Sequence, residues 1–137
     1  MRPVSALPLA VYKSKAFARF QKKARISDAD LVQAARNAER GVIDADLGGG
    51  VIKQRIARGG EGKSGGSRSI VLFRQGSRLV YVYGFEKKDR ANIRFDELEA
   101  FRELARVILG YSEAEIGQRV KDGALLQIHS PKEENNG

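Results

Sequence analysis

The side chains best suited to chemistry in this chain are cations, and they fall at strand-like spacing. Lys53 and Arg55 stand two residues apart in the stretch from Val51 to Ala57. They therefore project from one face of an extended segment, while Ile52, Gln54 and Ile56 project from the other. Arg58 follows at its end, and Lys63 lies in the glycine-rich stretch beyond. Arg68 opens a second apolar run (RSIVLFR), and Lys87, Lys88 and Arg90 follow a third (LVYVYGF). If the three runs pair as an antiparallel meander, the end of the first, the start of the second and the end of the third share one edge. Arg58, Arg68, Lys87 and Lys88 then gather at a rim, with Lys53 and Arg55 leading into it. Crowded like charges are costly without an anion, and nucleic-acid phosphates supply one. The plainer explanation is edge charge that blunts sheet aggregation. Convergence from three separate runs favours the polyanion.

Charge distribution points the same way. The chain of 137 residues carries a net +8, with +8 within residues 48–94 and −4 within residues 95–137. A basic middle beside an acidic end suggests one face directed at polyanions. The absence of cysteine excludes disulfides and thiolate metal sites, and is consistent with a cytoplasmic setting. A single histidine, His129, excludes a histidine-pair nuclease and a histidine-rich metal centre. No metal or other cofactor is expected. No apolar run approaches bilayer length, and Met1 to Ala10 lacks the pattern of a secretory signal, so no membrane association is expected.

Two further motifs are weaker. Gly62-Lys63-Ser64 echoes a phosphate-binding loop, but position 57 is alanine where that loop needs glycine, and a strand rather than a helix follows. Asp44 and Asp46 suggest a divalent cation site, but two carboxylates without a third ligand are explained better by a turn before Gly48-Gly49-Gly50. Tyr81, Tyr83 and Phe85 recur with period two, as if on one face. Tyr81 and Tyr83 are expected in the core; Phe85, at the strand end, is open between core and base stacking.

The elements that must position these residues can be traced. Leu9 to Tyr12 is a short strand, and Ser14 caps a helix with Phe17, Phe20 and Ala24 inward. Ser27 and Asp30 form a capping box before Leu31, Ala34, Ala35 and Ala38. Three strands follow, the second and third apolar on both faces, as central strands are. Asp96 and Glu99 open a helix with Leu98, Phe101, Leu104, Ala105, Ile108 and Leu109 inward. Ser112 and Glu115 box another helix, and Ala124 to Ile128 suits a final short strand. The order β-α-α-β-β-β-α-α predicts a small α+β protein with helices packed on an antiparallel-rich sheet.

At this point the sequence resembles the RelE/ParE superfamily of toxin–antitoxin toxins, in its RelE-like (HigB-type) branch. The resemblance rests on Lys53-Gln54-Arg55, on Ser64-Gly65-Gly66-Ser67-Arg68, and on the stretch from Val82 through Tyr83-Gly84-Phe85-Glu86-Lys87-Lys88-Asp89-Arg90 to Ile93. Phe17-Ala18-Arg19-Phe20, Ile26-Ser27-Asp28 and Gly48-Gly49-Gly50 fit it too. It covers residues 9–128, leaving 1–8 as an extension and 129–137 as a polar tail expected to be disordered. It implies a compact sheet with two helices against it, cleavage of messenger RNA in the ribosomal decoding site, and a helix-turn-helix antitoxin that neutralises the toxin and represses the operon. By position, Lys53, Arg55, Arg68 and Lys88 match the family's basic site residues. Relatives often carry tyrosine where this chain has Ser67 and Arg94.

Such residues suit attack of a ribose 2′-hydroxyl on the adjacent phosphorus. Arg68 and Arg55 would grip the phosphate oxygens. Lys53 would take the proton, and Lys88 or Arg90 would stabilise the leaving 5′-oxygen. Arg58, Lys63, Lys87 and Arg90 would bind RNA. Two alternatives remain: a ParE-like poison of DNA gyrase, and a nucleic-acid-binding module without catalysis.

Overall fold

Ser14 ends the first strand and starts the first helix, its hydroxyl accepting from the Phe17 amide at 3.1 Å. The computed structural model describes residues 9–57 and 66–129. Arg58, Lys63, the Gly62-Lys63-Ser64 motif, the 1–8 extension and most of the polar tail lie outside those residues. In chain order the elements are β1 (Ala10–Ser14), α1 (Lys15–Ala24), α2 (Asp28–Glu39), β2 (Ala45–Gly48), β3 (Val51–Ile56), β4 (Ser67–Arg74), β5 (Arg78–Glu86), α3 (Phe95–Leu109), α4 (Glu113–Lys121) and β6 (Leu125–Ile128). The strands form one sheet in the order β2-β3-β4-β5-β1-β6, antiparallel except where β1 runs parallel to β5. This is the α+β architecture expected.

Both expected capping boxes form. Ser27 and Asp30 exchange hydrogen bonds at 3.0 Å, and Ser112 and Glu115 do so at 2.7 and 3.1 Å. α1 and α2 cover one face of the sheet, packing Phe17, Leu31, Ala35 and Ala38 on Ile52, Ile56, Val71 and Tyr81. α3 and α4 cover the other, with Ala105, Leu109 and Ile116 among the residues that share a core with Val51, Ile70, Leu72 and Val80. Burial on both faces is why β4 and β5 are apolar throughout. Each fully buried aliphatic or aromatic side chain contributes about 1.5–3 kcal/mol.

Three expectations are corrected. A strand the sequence did not suggest, β2, lies along β3, and Asp46 falls within it, not in a turn. Leu104 faces outward on α3 at 37% exposure. The Tyr81-Tyr83-Phe85 stripe does not exist as one face. The β4–β5 ladder pairs Ile70 with Tyr83 and then Val71 with Tyr81, so Val82 is extra. Such a bulge shifts the alternation by one residue. Tyr81 therefore points under α1 and α2, stacked on Phe17 with ring centroids 5.0 Å apart, while Tyr83 and Phe85 join the α3 side.

Gly50 shows how closely α3 approaches the sheet. It has φ +85°, and a Cβ there would meet Leu109 at 2.9 Å. Gly84 does the same for α1, where a Cβ would lie 2.2 Å from the Phe20 ring.

Candidate nucleic-acid interface

The meander brings the central cations onto one face. β3 and β4 set Arg55 opposite Arg68, and β4 and β5 set Arg68 opposite Phe85. In the neighbouring row Lys53, Ile70 and Tyr83 align, with Ala45 of β2 beside Lys53. Ile70 and Phe85 belong to the core beneath α3 and α4, so alternation puts Lys53, Arg55 and Arg68 on that same face. The bulge at Val82 matters here. Without it, Tyr83 and Phe85 would share Tyr81's face and leave no aromatic edge beside Arg68.

Arg55 and Arg68 are directly opposed like charges, an arrangement that destabilises a strand pair by itself. An internal carboxylate offsets it. Asp44 Oδ2 lies 3.4 Å from Arg68 Nε and 3.7 Å from Lys53 Nζ. The Asp44 backbone amide donates to Lys53 O at 3.1 Å and to Gln54 Oε1 at 3.2 Å. The Gln54 amide nitrogen in turn donates to Ala34 O at 3.0 Å and Val42 O at 2.9 Å. The polar residue between the two strand cations, buried on the opposite face, thus fixes the connection that carries Asp44. Beyond it, Gly66 passes beside Arg55, with the position of its missing Cβ 3.6 Å from Arg55 Nε.

Arg68 is incompletely satisfied. Its side chain is 13% exposed, and Nη1 is buried without a hydrogen-bond partner. A buried donor left unpaired costs free energy that an anionic oxygen would recover.

Arg90 is anchored. Its Nη2 donates to Glu97 Oε1 at 2.7 Å, Nη1 to the Tyr83 hydroxyl at 2.9 Å, and Nε to Asn92 O at 2.9 Å. Its guanidinium lies 5.9 and 5.8 Å from the Tyr83 and Phe85 ring centroids, within cation–π range. The hydrogen bonds from Arg90, and then that from the Arg94 amide, hold the Glu97 carboxyl at about 2, below its ordinary 4.5. Those same bonds raise Arg90. Arg90 thus clamps the aromatic edge to the start of α3. Arg94 is exposed and paired with Asp96 at 3.0 Å. Ser67 is fully buried, and its hydroxyl meets Glu86 Oε2 at 3.2 Å. It points to the face opposite Arg68, so a side chain at position 67 does not line the cationic row.

Lys87 and Lys88 stand exposed beyond β5. With Arg90, Phe85 and Gly66, and with Phe20, Lys23 and Arg25 from the α1 side, they line a concavity of about 880 Å³. Lys53, Arg55 and Arg68 thus form one group, and Lys87 and Lys88 another around the strand end. Sequence reasoning missed Asp44 as the partner of the cations; it also missed the Arg90–Glu97 clamp and the contribution of α1. Asp44 was visible as an isolated acid before a basic strand, but nothing local tied it to Arg68. No cluster of three or more His, Cys, Asp or Glu side chains that could hold a metal occurs among the described residues.

A cationic row on an α+β sheet with four helices is consistent with the RelE-like fold that the sequence resembles. The family model described as the RelE toxin of the RelE / RelB toxin-antitoxin system matches residues 9–128, and the chain belongs to this RelE toxin family. It is therefore a toxin, with an antitoxin as its partner. No match was found among curated proteins. No helix among the described residues is long and apolar enough to cross a membrane.

Proposed function

We propose that this toxin, of the HigB-type branch, is a metal-independent endoribonuclease that cleaves messenger RNA on the ribosome and so arrests translation in the cytoplasm. The observation that carries the reading is the buried, unpartnered Nη1 of Arg68, which stands in a row with Arg55 and Phe85. A scissile phosphate above that row receives Arg68 and Arg55 on its oxygens, which stabilises charge on the phosphorane. Lys53 accepts the 2′-hydroxyl proton, and the Asp44 carboxylate lies 3.7 Å from its Nζ. The 2′-oxygen bonds to phosphorus as the bond to the 5′-oxygen breaks, giving a cyclic phosphate and a 5′-hydroxyl. Lys88, just past β5, stabilises the departing 5′-oxygen, which takes its proton from solvent. Arg58, Lys63, Lys87 and Arg90 serve RNA binding, Arg90 by holding Tyr83 and Phe85 in place. Proton transfer without histidine is slow on free RNA, and a ribosome that fixes the in-line geometry compensates. A helix-turn-helix protein encoded beside the toxin is the proposed antitoxin.

The test is induction in cells of the parent and of Lys53→Ala and Arg68→Ala variants at matched expression. The expected result is rapid loss of translated messages and growth arrest with the parent, and neither with the variants. Arrest by both variants equal to the parent's contradicts the assignment. A DNA-damage response with intact messages would indicate gyrase poisoning instead.

A further inference from the structure

Arg25 caps α1 in the left-handed region, at φ +60° and ψ +43°. It is the one non-glycine residue with positive φ among the described residues. Glycine is the usual occupant of such a helix end, because any Cβ there costs free energy. Strain retained at an arginine points toward use of its side chain. Arg25 lines the concavity at the end of β5 together with Lys23, Lys87 and Lys88, and none of these four has a carboxylate partner among the described residues. Two acids share the lining. Glu86 accepts a hydrogen bond from Ser67, and Asp89 follows in the turn. The cations outnumber them. Phe20 supplies an aromatic wall, lying against the β5 backbone at a spot only glycine, Gly84, allows.

This concavity adjoins the cationic row but is separate from it. Phe85 and Gly66 are common to both: Phe85 stands opposite Arg68 and lines the concavity, and Gly66 lines it and passes beside the Arg55 guanidinium. We propose that the groove between α1 and the end of β5 is a second single-stranded RNA subsite, which binds phosphates flanking the scissile one through Lys23, Arg25 and Lys87. The strand crosses from Arg68 over Gly66 and round the end of β5. The proposal rests on the nuclease reading for its direction. It differs in chemistry, because the subsite binds backbone phosphate and makes or breaks no bond. Ribosomal RNA offers the same phosphate chemistry, and the groove's continuity with the Arg55–Arg68 row favours the message strand itself.

The experiment measures equilibrium binding of 2′-O-methyl RNA, which cannot be cleaved, to the full chain. A short probe of about four nucleotides and a long one of about twelve are compared across a salt series. The variant combines Lys23→Ala with Arg25→Gly. Arg25→Gly relieves backbone strain, so its melting temperature should match or exceed the parent's. The expected result is about tenfold weaker binding of the long probe, with a log–log salt slope shallower by about 1.4, and unchanged binding of the short probe. Lys87→Ala should weaken the long probe to a smaller extent, with a slope shallower by about 0.7. Equal long-probe binding by parent and variant overturns the proposal, as does equal weakening of both probes. Weakened ribosome association with unchanged long-probe binding also overturns it and assigns the groove to ribosomal RNA. Failure of the nuclease reading shows separately: a parent that binds the long probe through Lys23 and Arg25 but cleaves no message leaves the subsite standing.

Discussion

The Asp44 carboxylate lies 3.4 Å from Nε of Arg68, while Nη1 of the same guanidinium is buried and unpartnered. One edge of the arginine is thus held by the protein, and another makes no hydrogen bond. Asp44 also reaches Lys53, so a single carboxylate supports the cations of two neighbouring strands. For Asp44→Asn the expected outcome is a split. Loss of the negative charge should tighten binding of uncleavable RNA by about threefold through a more positive face. Cleavage should slow by about a hundredfold, because Lys53 and Arg68 both lose the carboxylate that orients them. Binding and single-turnover rates measured side by side check this. Weaker binding with an unchanged rate would show Asp44 to be only a brace for Arg68.

The Arg90–Glu97 clamp gives a pH dependence with a definite sign. Glu97 titrates at about 2 in the folded chain, against an ordinary 4.5. Its contribution to stability is therefore complete above about 4.5, declines as the pH falls, and is gone once the pH has dropped through about 2. Tyr83 accepts a hydrogen bond from Arg90, so tyrosine emission should report the loss. Glu97→Gln should remove that acid step while leaving the rest of the profile in place. An acid titration identical to the parent's would contradict the clamp.

Tyr81 tests the bulge. It is fully buried, its hydroxyl donates to Leu31 O at 2.6 Å, and burial holds the phenol above its ordinary range. Tyr81→Phe should destabilise the fold by about 1–2 kcal/mol, because the Leu31 carbonyl is left without that donor. Denaturant unfolding measures it. Since Tyr81 faces away from Arg68, RNA cleavage by the folded variant should match the parent's; a drop in rate with unchanged stability would place Tyr81 on the wrong face.

What the sequence disclosed, and what it withheld, follows from which interactions are local. Ser27 with Asp30 and Ser112 with Glu115 announce helix starts because capping boxes close within four residues. Lys53 and Arg55 share a face because strand alternation has a fixed period. Their meeting with Arg68 needed only the pairing of neighbouring runs as a meander. The β2 strand was hidden because Ala45–Gly48 has little strand propensity of its own and forms by pairing with β3. The bulge at Val82 leaves no mark on hydrophobic periodicity, so the faces of Tyr83 and Phe85 were misassigned relative to Tyr81. Asp44 acquired its role through Gln54, whose amide bonds to Ala34 and Val42 are long-range. The start of α3 was shifted for a related reason: Glu97, not Glu99, takes the Arg94 amide, at 2.7 Å.

The central claim is that Arg68 grips the phosphate that is cut. Its most direct test is the single-turnover cleavage rate of a message on programmed ribosomes by purified parent and Arg68→Ala proteins, with product ends identified and folding checked by melting. The account predicts a cyclic phosphate on the upstream fragment from the parent and a rate lower by about a hundredfold or more in the folded variant. An undiminished rate from folded Arg68→Ala would contradict it.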